Sequence, residues 1–213
     1  MRLFKHWQKR YRSLDPRLNL PTKLTILRIG LCPIFFILLM VDHLSARLAA
    51  FILFVVAAIS DAYDGYLARK EGQVTEFGKI IDPIADKLLT TVAFIGFYLL
   101  GYVPIWIVAV ILVREYFITL LRTVGIFKGV IIAADQWGKY KTIAQMTYII
   151  TQLVYINLIL ILHELNWTAS PEFDYSVMIL LTVMLYSALI LTLGSGLNYL
   201  IHNRHLVREL FHG

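Results

Sequence analysis

Residues 88–113 read LLTTVAFIGFYLLGYVPIWIVAVILV, a run without a single charge. Whether it is one helix or two decides the architecture. Within it, LLGYVP at 99–104 brings together Gly101 and Pro104, both turn formers. The run is therefore expected to hold the end of one helix and the start of the next.

Four further uncharged runs lie on either side: Ile29 to Val41, Leu48 to Ser60, Thr142 to Leu162 and Tyr175 to Ile201. A membrane span needs about 20 mostly apolar residues. Of the 213 residues, 59% are hydrophobic and 16% charged, and the mean hydropathy is +0.70; a soluble domain has about 45–50% apolar and about 25% charged residues. The chain reads as an all-α polytopic membrane protein with six transmembrane helices. The expected spans are Leu24 to Val41, Arg47 to Ala68, Gly78 to Leu100, Pro104 to Val124, Lys139 to Leu162 and Tyr175 to Ile201. Spans two, three and four reach full length only by including charges, which cluster at one end of each: Asp61 and Asp64, Asp82 and Asp86, Arg114 and Glu115. Those ends are expected to lie together.

Lys and Arg in short loops mark the cytoplasmic side. The N-terminal arm, the second and fourth loops and the C-terminal tail hold nearly all of the flanking cations, whereas the opposite loops contain only Arg47. Both termini and the Asp-rich ends are thus expected in the cytoplasm. Residues 1–18, with MRLFKHWQKRYRSL at their start, read as a basic amphipathic segment lying on the membrane surface. Residues 19–213 form the six-helix domain. The net charge of +6 suits anionic lipid, and nothing points to nucleic acid. Cys32, the only cysteine, rules out an intrachain disulfide and reads as a packing residue.

The acidic residues call for an account. Asp61, Asp64, Gly65 and Ala68 share a helical arc about 100° wide, and Gly78, Asp82 and Asp86 repeat every four residues along the next helix. An Asp near the centre of a span costs about 2.5–3.5 kcal/mol, and less near the interface. Pairing with Lys79, Lys87 or Arg69 offsets part of that cost, but does not explain two faces that combine acids with small residues. Hard oxygen donors without His or Cys suit Mg²⁺, Mn²⁺ or Ca²⁺ rather than Zn²⁺. Two such ions, about 3.5–4 Å apart, clamp a phosphoryl group. Gly65, Ala68 and Gly78 leave room for a nucleotide or diphosphate against the helix backbone, or serve close helix packing.

Asp61-x2-Asp64-Gly65-x2-Ala68-Arg69-x8-Gly78-x3-Asp82-x3-Asp86 resembles, at every fixed position, the signature of the CDP-alcohol phosphotransferase family. Eight fixed positions at roughly 7% frequency each coincide by chance on the order of once in 10⁹ starts. The resemblance implies a six-helix membrane enzyme, commonly a homodimer, that breaks the diphosphate of a CDP-linked lipid and passes the phosphatidyl group to an alcohol. It implies that Asp61, Asp64 and Asp82 ligate the metals, with two Mg²⁺ or Mn²⁺ ions per site. It implies too that Asp86 is a fourth carboxylate close to the metals and serves as the general base. By the same resemblance, Gly65, Ala68, Arg69 and Gly78 are expected to shape and bind the CDP part.

The second half of the chain is expected to select the acceptor. Arg114 and Arg122 are about 80° apart in helical phase, so both can line one cavity. Lys139 and Lys141 fall at the start of a helix, where free N–H groups and the dipole favour an anion. Four cations near the site suggest a phosphate on the acceptor, although Arg122, Lys139 and Lys141 also fit as headgroup anchors. A Glu115–Arg122 pair is one arrangement that leaves Arg114 for substrate. NLPTKLTILRI, REYFITLLR and GKYKTIAQM are similar to the branch formed by the bacterial phosphatidylglycerophosphate synthases. That implies CDP-diacylglycerol and sn-glycerol 3-phosphate as substrates and CMP as leaving product. Asn19, Thr22, Thr25 and Arg28 are candidates to touch the nucleotide or diphosphate, with helix capping as the competing role for Asn19 or Thr22. Within the same chemistry, the other acceptors to separate are inositol phosphate, serine and phosphatidylglycerol. A cation transporter is the rival from another class; it calls for acids spread along a path rather than gathered at one end.

Overall fold

The computed structural model describes the backbone of residues 20–71, 76–127, 136–167 and 169–204, with side chains within those limits for 25–60, 85 and 87 onward. The surface segment expected at 1–18, Asn19, Lys128, Thr168 and the end of the C-terminal tail lie outside the described residues. Every element among the described residues is helical: α1 (Leu20–Met40), α2 (Leu44–Glu71), α3 (Glu76–Leu99), α4 (Ile105–Phe127), α5 (Gln136–Glu164) and α6 (Pro171–His202). Each boundary falls within four residues of its expected position.

Capping chemistry sets the boundaries. Gly101 adopts φ +82°, the left-handed region that a side chain disfavours, and its N–H donates to Tyr98 O at 2.9 Å while Tyr102 N–H donates to Phe97 O at 2.8 Å. This pair of bonds closes α3 and splits the uncharged run as expected. At the end of α5, Asn166 does the same at φ 55°, with Asn166 N–H to His163 O at 3.1 Å and Trp167 N–H to Leu162 O at 2.9 Å. Helix α6 starts four residues before the expected Tyr175 because Ser170 caps it, its side chain accepting from Phe173 N–H at 3.2 Å, with Pro171 in the first turn.

The helices form a ring in the order α1, α2, α5, α6, α4, α3 and back to α1, with α3 and α5 also touching across it. Phe35, Leu39, Phe54, Phe94, Phe97, Ile107, Tyr148, Leu153 and Ile156 fill the middle. The Tyr148 ring stacks on Phe94 at 6.0 Å and meets the edge of Phe97 at 6.1 Å, which fixes α5 against α3. At Gly96 an added Cβ would lie 2.7 Å from Leu39 Cδ2, so this glycine sets how closely α1 approaches α3.

Large apolar side chains point outward from all six helices: Ile37, Ile59, Leu99, Val113, Ile143 and Ile190 are each more than half exposed. A soluble monomer rarely carries so much apolar surface. By length and composition α5 and α6 are each able to cross a membrane, while α1, α2 and α3 contain shorter apolar stretches at Thr25–Met40, Leu44–Ser60 and Lys87–Leu99. The charges at one end of α2, α3 and α4 shorten their uncharged portions.

Candidate active site

Helix α4 carries Arg114, Glu115, Ile118, Thr119 and Arg122 into the wall of a cavity of about 450 Å³. Lys87 from α3 and Gly138, Lys139, Lys141, Thr142 and Ile143 from α5 complete it. All four residues expected to meet the acceptor's phosphate, Arg114, Arg122, Lys139 and Lys141, are thus brought to one place. Among the described residues five basic side chains and one carboxylate line this space, a balance that suits an anion.

The carboxylate is Glu115, which is 4% exposed and fully engaged. Its Oε1 accepts from Lys141 Nζ in a short contact and from Arg114 Nη1 at 3.2 Å; its Oε2 pairs with Lys87 Nζ at 3.0 Å. Gln145 Nε2 stands 3.5 Å from Oε1 and donates to Thr192 Oγ1 at 3.0 Å. Arg114 Nη2 donates to Ser195 Oγ at 2.9 Å. It can lie against α6 because residue 196 is glycine, where an added Cβ would stand 3.2 Å from Arg114 Cγ. One polar network therefore runs through α3, α4, α5 and α6.

Arg122 differs. It forms no ion pair among the described residues, and its guanidinium lies 5.1 Å above the Tyr199 ring; its Nε, like that of Arg114, is buried without a hydrogen-bond partner among the described residues. Tyr199 is held in place by Ile118 and Leu121. The Glu115–Arg122 pair considered above is therefore corrected, as is the idea that it frees Arg114. Seven residues along a helix is about 10.5 Å of rise, and Glu115 finds closer cations on neighbouring helices. Among the described residues Arg122 and Lys139 have no carboxylate partner, whereas Arg114 has one in Glu115. Lys139 is exposed, whereas Lys141 is buried against Glu115, five residues into a helix that begins at Gln136 rather than at Lys139.

Asp61, Asp64, Gly65, Ala68 and Arg69 fall in the C-terminal half of α2, and Gly78, Asp82 and Asp86 in the N-terminal half of α3; their side chains lie outside the described residues. The cavity adjoins this acidic segment through Lys87, the next residue after Asp86. Among the described residues no three His, Cys, Asp or Glu side chains gather. Thr25 is buried on α1 and is not in the cavity wall. Sequence reasoning weighed Lys87 only as a partner for the aspartates and passed over Gln145, Thr192, Ser195 and Tyr199. The available signals were the Lys141 to Gln145 spacing of one helical turn and the small residues of GSG at 194–196.

The model of the CDP-alcohol phosphatidyltransferase family matches residues 18–194. The chain belongs to that family. As a CDP-alcohol phosphatidyltransferase it is an enzyme, which disposes of the transporter reading. It is similar to the CDP-diacylglycerol–glycerol-3-phosphate 3-phosphatidyltransferase of Bacillus subtilis (strain 168), 43% identical over 140 residues that cover 60% of this chain and 72% of that protein. It is 45% identical over 130 residues to a probable phosphatidylglycerophosphate synthase of Mycobacterium tuberculosis (strain ATCC 25618 / H37Rv), covering 60% of this chain and 62% of that one. With the CDP-diacylglycerol–glycerol-3-phosphate 3-phosphatidyltransferase of Yersinia pestis (strain Pestoides F) it shares 34% identity over 189 residues, 86% of this chain and 94% of the relative.

Proposed function

We propose that this phosphatidyltransferase converts CDP-diacylglycerol and sn-glycerol 3-phosphate to phosphatidylglycerophosphate and CMP. The observation that carries the acceptor is the cavity lined by Lys87, Arg114, Arg122, Lys139 and Lys141, with Arg122 lacking a carboxylate partner among the described residues. Relatives in three organisms whose names specify this reaction, or its product, support the same reading.

In this mechanism the acceptor's phosphate sits among the basic residues, with Arg122 as its main partner and Arg114, Lys139 and Lys141 around it. That fixes the acceptor's hydroxyl toward the diphosphate. Asp86, the residue before Lys87, takes the hydroxyl proton. An oxygen–phosphorus bond forms at the phosphorus bearing the diacylglycerol, the bond to the CMP oxygen breaks, and CMP leaves. Gly65, Ala68 and Gly78 keep the helix surface low for the nucleotide, and Arg69, Thr25 and Asn19 complete its binding. Asp61, Asp64 and Asp82, together with Asp86, form an all-oxygen donor set that fits divalent Mg²⁺ or Mn²⁺, two per site. When bound, such ions neutralise the diphosphate and stabilise the charge that develops on the leaving group.

The same reading gives all six helices of residues 19–213 as spans, in keeping with outward apolar side chains on every one. Lys and Arg in the loops on the acidic side put that side and both termini in the cytoplasm, in a bacterial inner membrane. The segment 1–18 rests on the lipid surface, and the family resemblance implies a homodimer. The direct test is CMP release from CDP-diacylglycerol with a panel of acceptors. Release with sn-glycerol 3-phosphate, and not with inositol phosphate, serine or phosphatidylglycerol, is expected; preference for an acceptor without a phosphate refutes the acceptor assignment.

A further inference from the structure

Among the described residues Glu115 is the one carboxylate in the cavity wall, and both its oxygens are taken by Lys141, Arg114 and Lys87. It is therefore not free to act as a base. We propose that Glu115 is the positioning residue of the acceptor site, gathering cations from α3, α4 and α5 around one buried charge and leaving them short of full neutralisation, so that a phosphate dianion completes the balance. This deepens the glycerol 3-phosphate reading and rests on it.

The physical case is one of preorganisation. Three cations crowded into one wall repel each other, and long basic side chains freed from a partner swing out toward water or headgroups. A carboxylate at their centre holds them, and its own desolvation is offset because three partners surround it. The acceptor then meets a site already collected and does not bear the cost of ordering it. Two contacts with α6 brace the arrangement: Gln145 donates to Thr192, and Arg114 donates to Ser195, both acceptors buried. Lys87 adds a second consequence. Because it follows Asp86 in α3, its bond to Glu115 fixes the turn that bears the proposed base relative to the phosphate site.

A helix-stapling ion pair with no part in recognition is the alternative, and the two roles differ in which kinetic constant moves. Full-length protein in detergent micelles is assayed at fixed free Mg²⁺ for the KM of each substrate, with inorganic phosphate as a competing probe of the acceptor site. For Glu115→Gln, the KM for glycerol 3-phosphate and the inhibition constant of phosphate are expected to rise about 10-fold or more, while the KM for CDP-diacylglycerol stays within about twofold. Glu115→Asp, which keeps the charge, recovers part of the loss. Wild-type acceptor KM and phosphate inhibition in Glu115→Gln, or equal rises for both substrates, overturns the proposal. If Glu115→Gln does not fold, Lys87→Met is compared with Lys87→Met/Glu115→Gln, in which both members of a partly buried pair are removed together. A further rise confined to the acceptor supports the role, and none overturns it. Arg122→Gln separates the two levels: if it weakens the acceptor while the Glu115 variants do not, only the positioning role falls, and if it too leaves the acceptor KM unchanged, the acceptor reading falls with it.

Discussion

Arg114 and Arg122 are eight residues apart on α4 and face one cavity, but their partners give them different work. Arg114 is tied to Glu115 and Ser195, whereas among the described residues Arg122 meets the face of Tyr199 and no carboxylate. A charge-assisted hydrogen bond is worth about 1.5–3 kcal/mol, so Arg122→Gln is expected to raise the KM for glycerol 3-phosphate by about 10- to 150-fold with little change for CDP-diacylglycerol. Lys139 is exposed, and Lys139→Gln is expected to change it by less than about fivefold, since surface charges contribute about 0–1 kcal/mol. Steady-state kinetics on both variants checks the order. Asp86→Asn is expected to lose turnover while retaining CDP-lipid binding by calorimetry; joint loss of binding and turnover reassigns it as a ligand. Helical phase made it legible that Arg114 and Arg122 share a cavity, because phase depends on the local chain alone. Which of them is engaged was not, since Lys87 and Lys141 reach Glu115 from other helices and nothing in the spacing of one helix reports that.

At the scale of elements, turn chemistry was readable because it is local. The α3–α4 break rests on Gly101 at positive φ. Gly101→Val forces a β-branched side chain into that region and is expected to cost about 1–2 kcal/mol, seen as a melting point lowered by several degrees. Gly101→Asn is expected to cost less, since Asn166 holds the equivalent position after α5. Where helices touch was less legible. The close approach at Gly96 depends on Leu39, and a glycine within an apolar run does not reveal its neighbour. Gly96→Leu over-packs a buried contact and is expected to destabilise by about 1–3 kcal/mol. An unchanged melting point would show that α1 and α3 separate there without cost.

For the whole molecule, the gathering of Lys87, Arg114, Arg122, Lys139 and Lys141 around one cavity beside the acidic segment follows from insertion energetics, which confine charges to a few places in a greasy chain. The six-span proposal has a direct check in topology. Labels near Lys70, Lys128 and both termini are expected to react only from the cytoplasmic face, and one near Thr168 only from the other; labelling of Lys128 from outside breaks the arrangement. The central claim is transfer of a phosphatidyl group to the hydroxyl of glycerol 3-phosphate with its phosphate retained. Its most direct test supplies glycerol 3-phosphate labelled in its phosphate to purified protein with CDP-diacylglycerol and Mg²⁺ or Mn²⁺, and follows the label into the lipid phase beside CMP in the aqueous phase. The account predicts that labelled lipid and CMP appear in equal amounts, and that both cease on metal chelation or in Asp61→Asn, Asp64→Asn or Asp82→Asn protein that remains folded. CMP release with the label left in water, or equal transfer after chelation or in those variants, contradicts it.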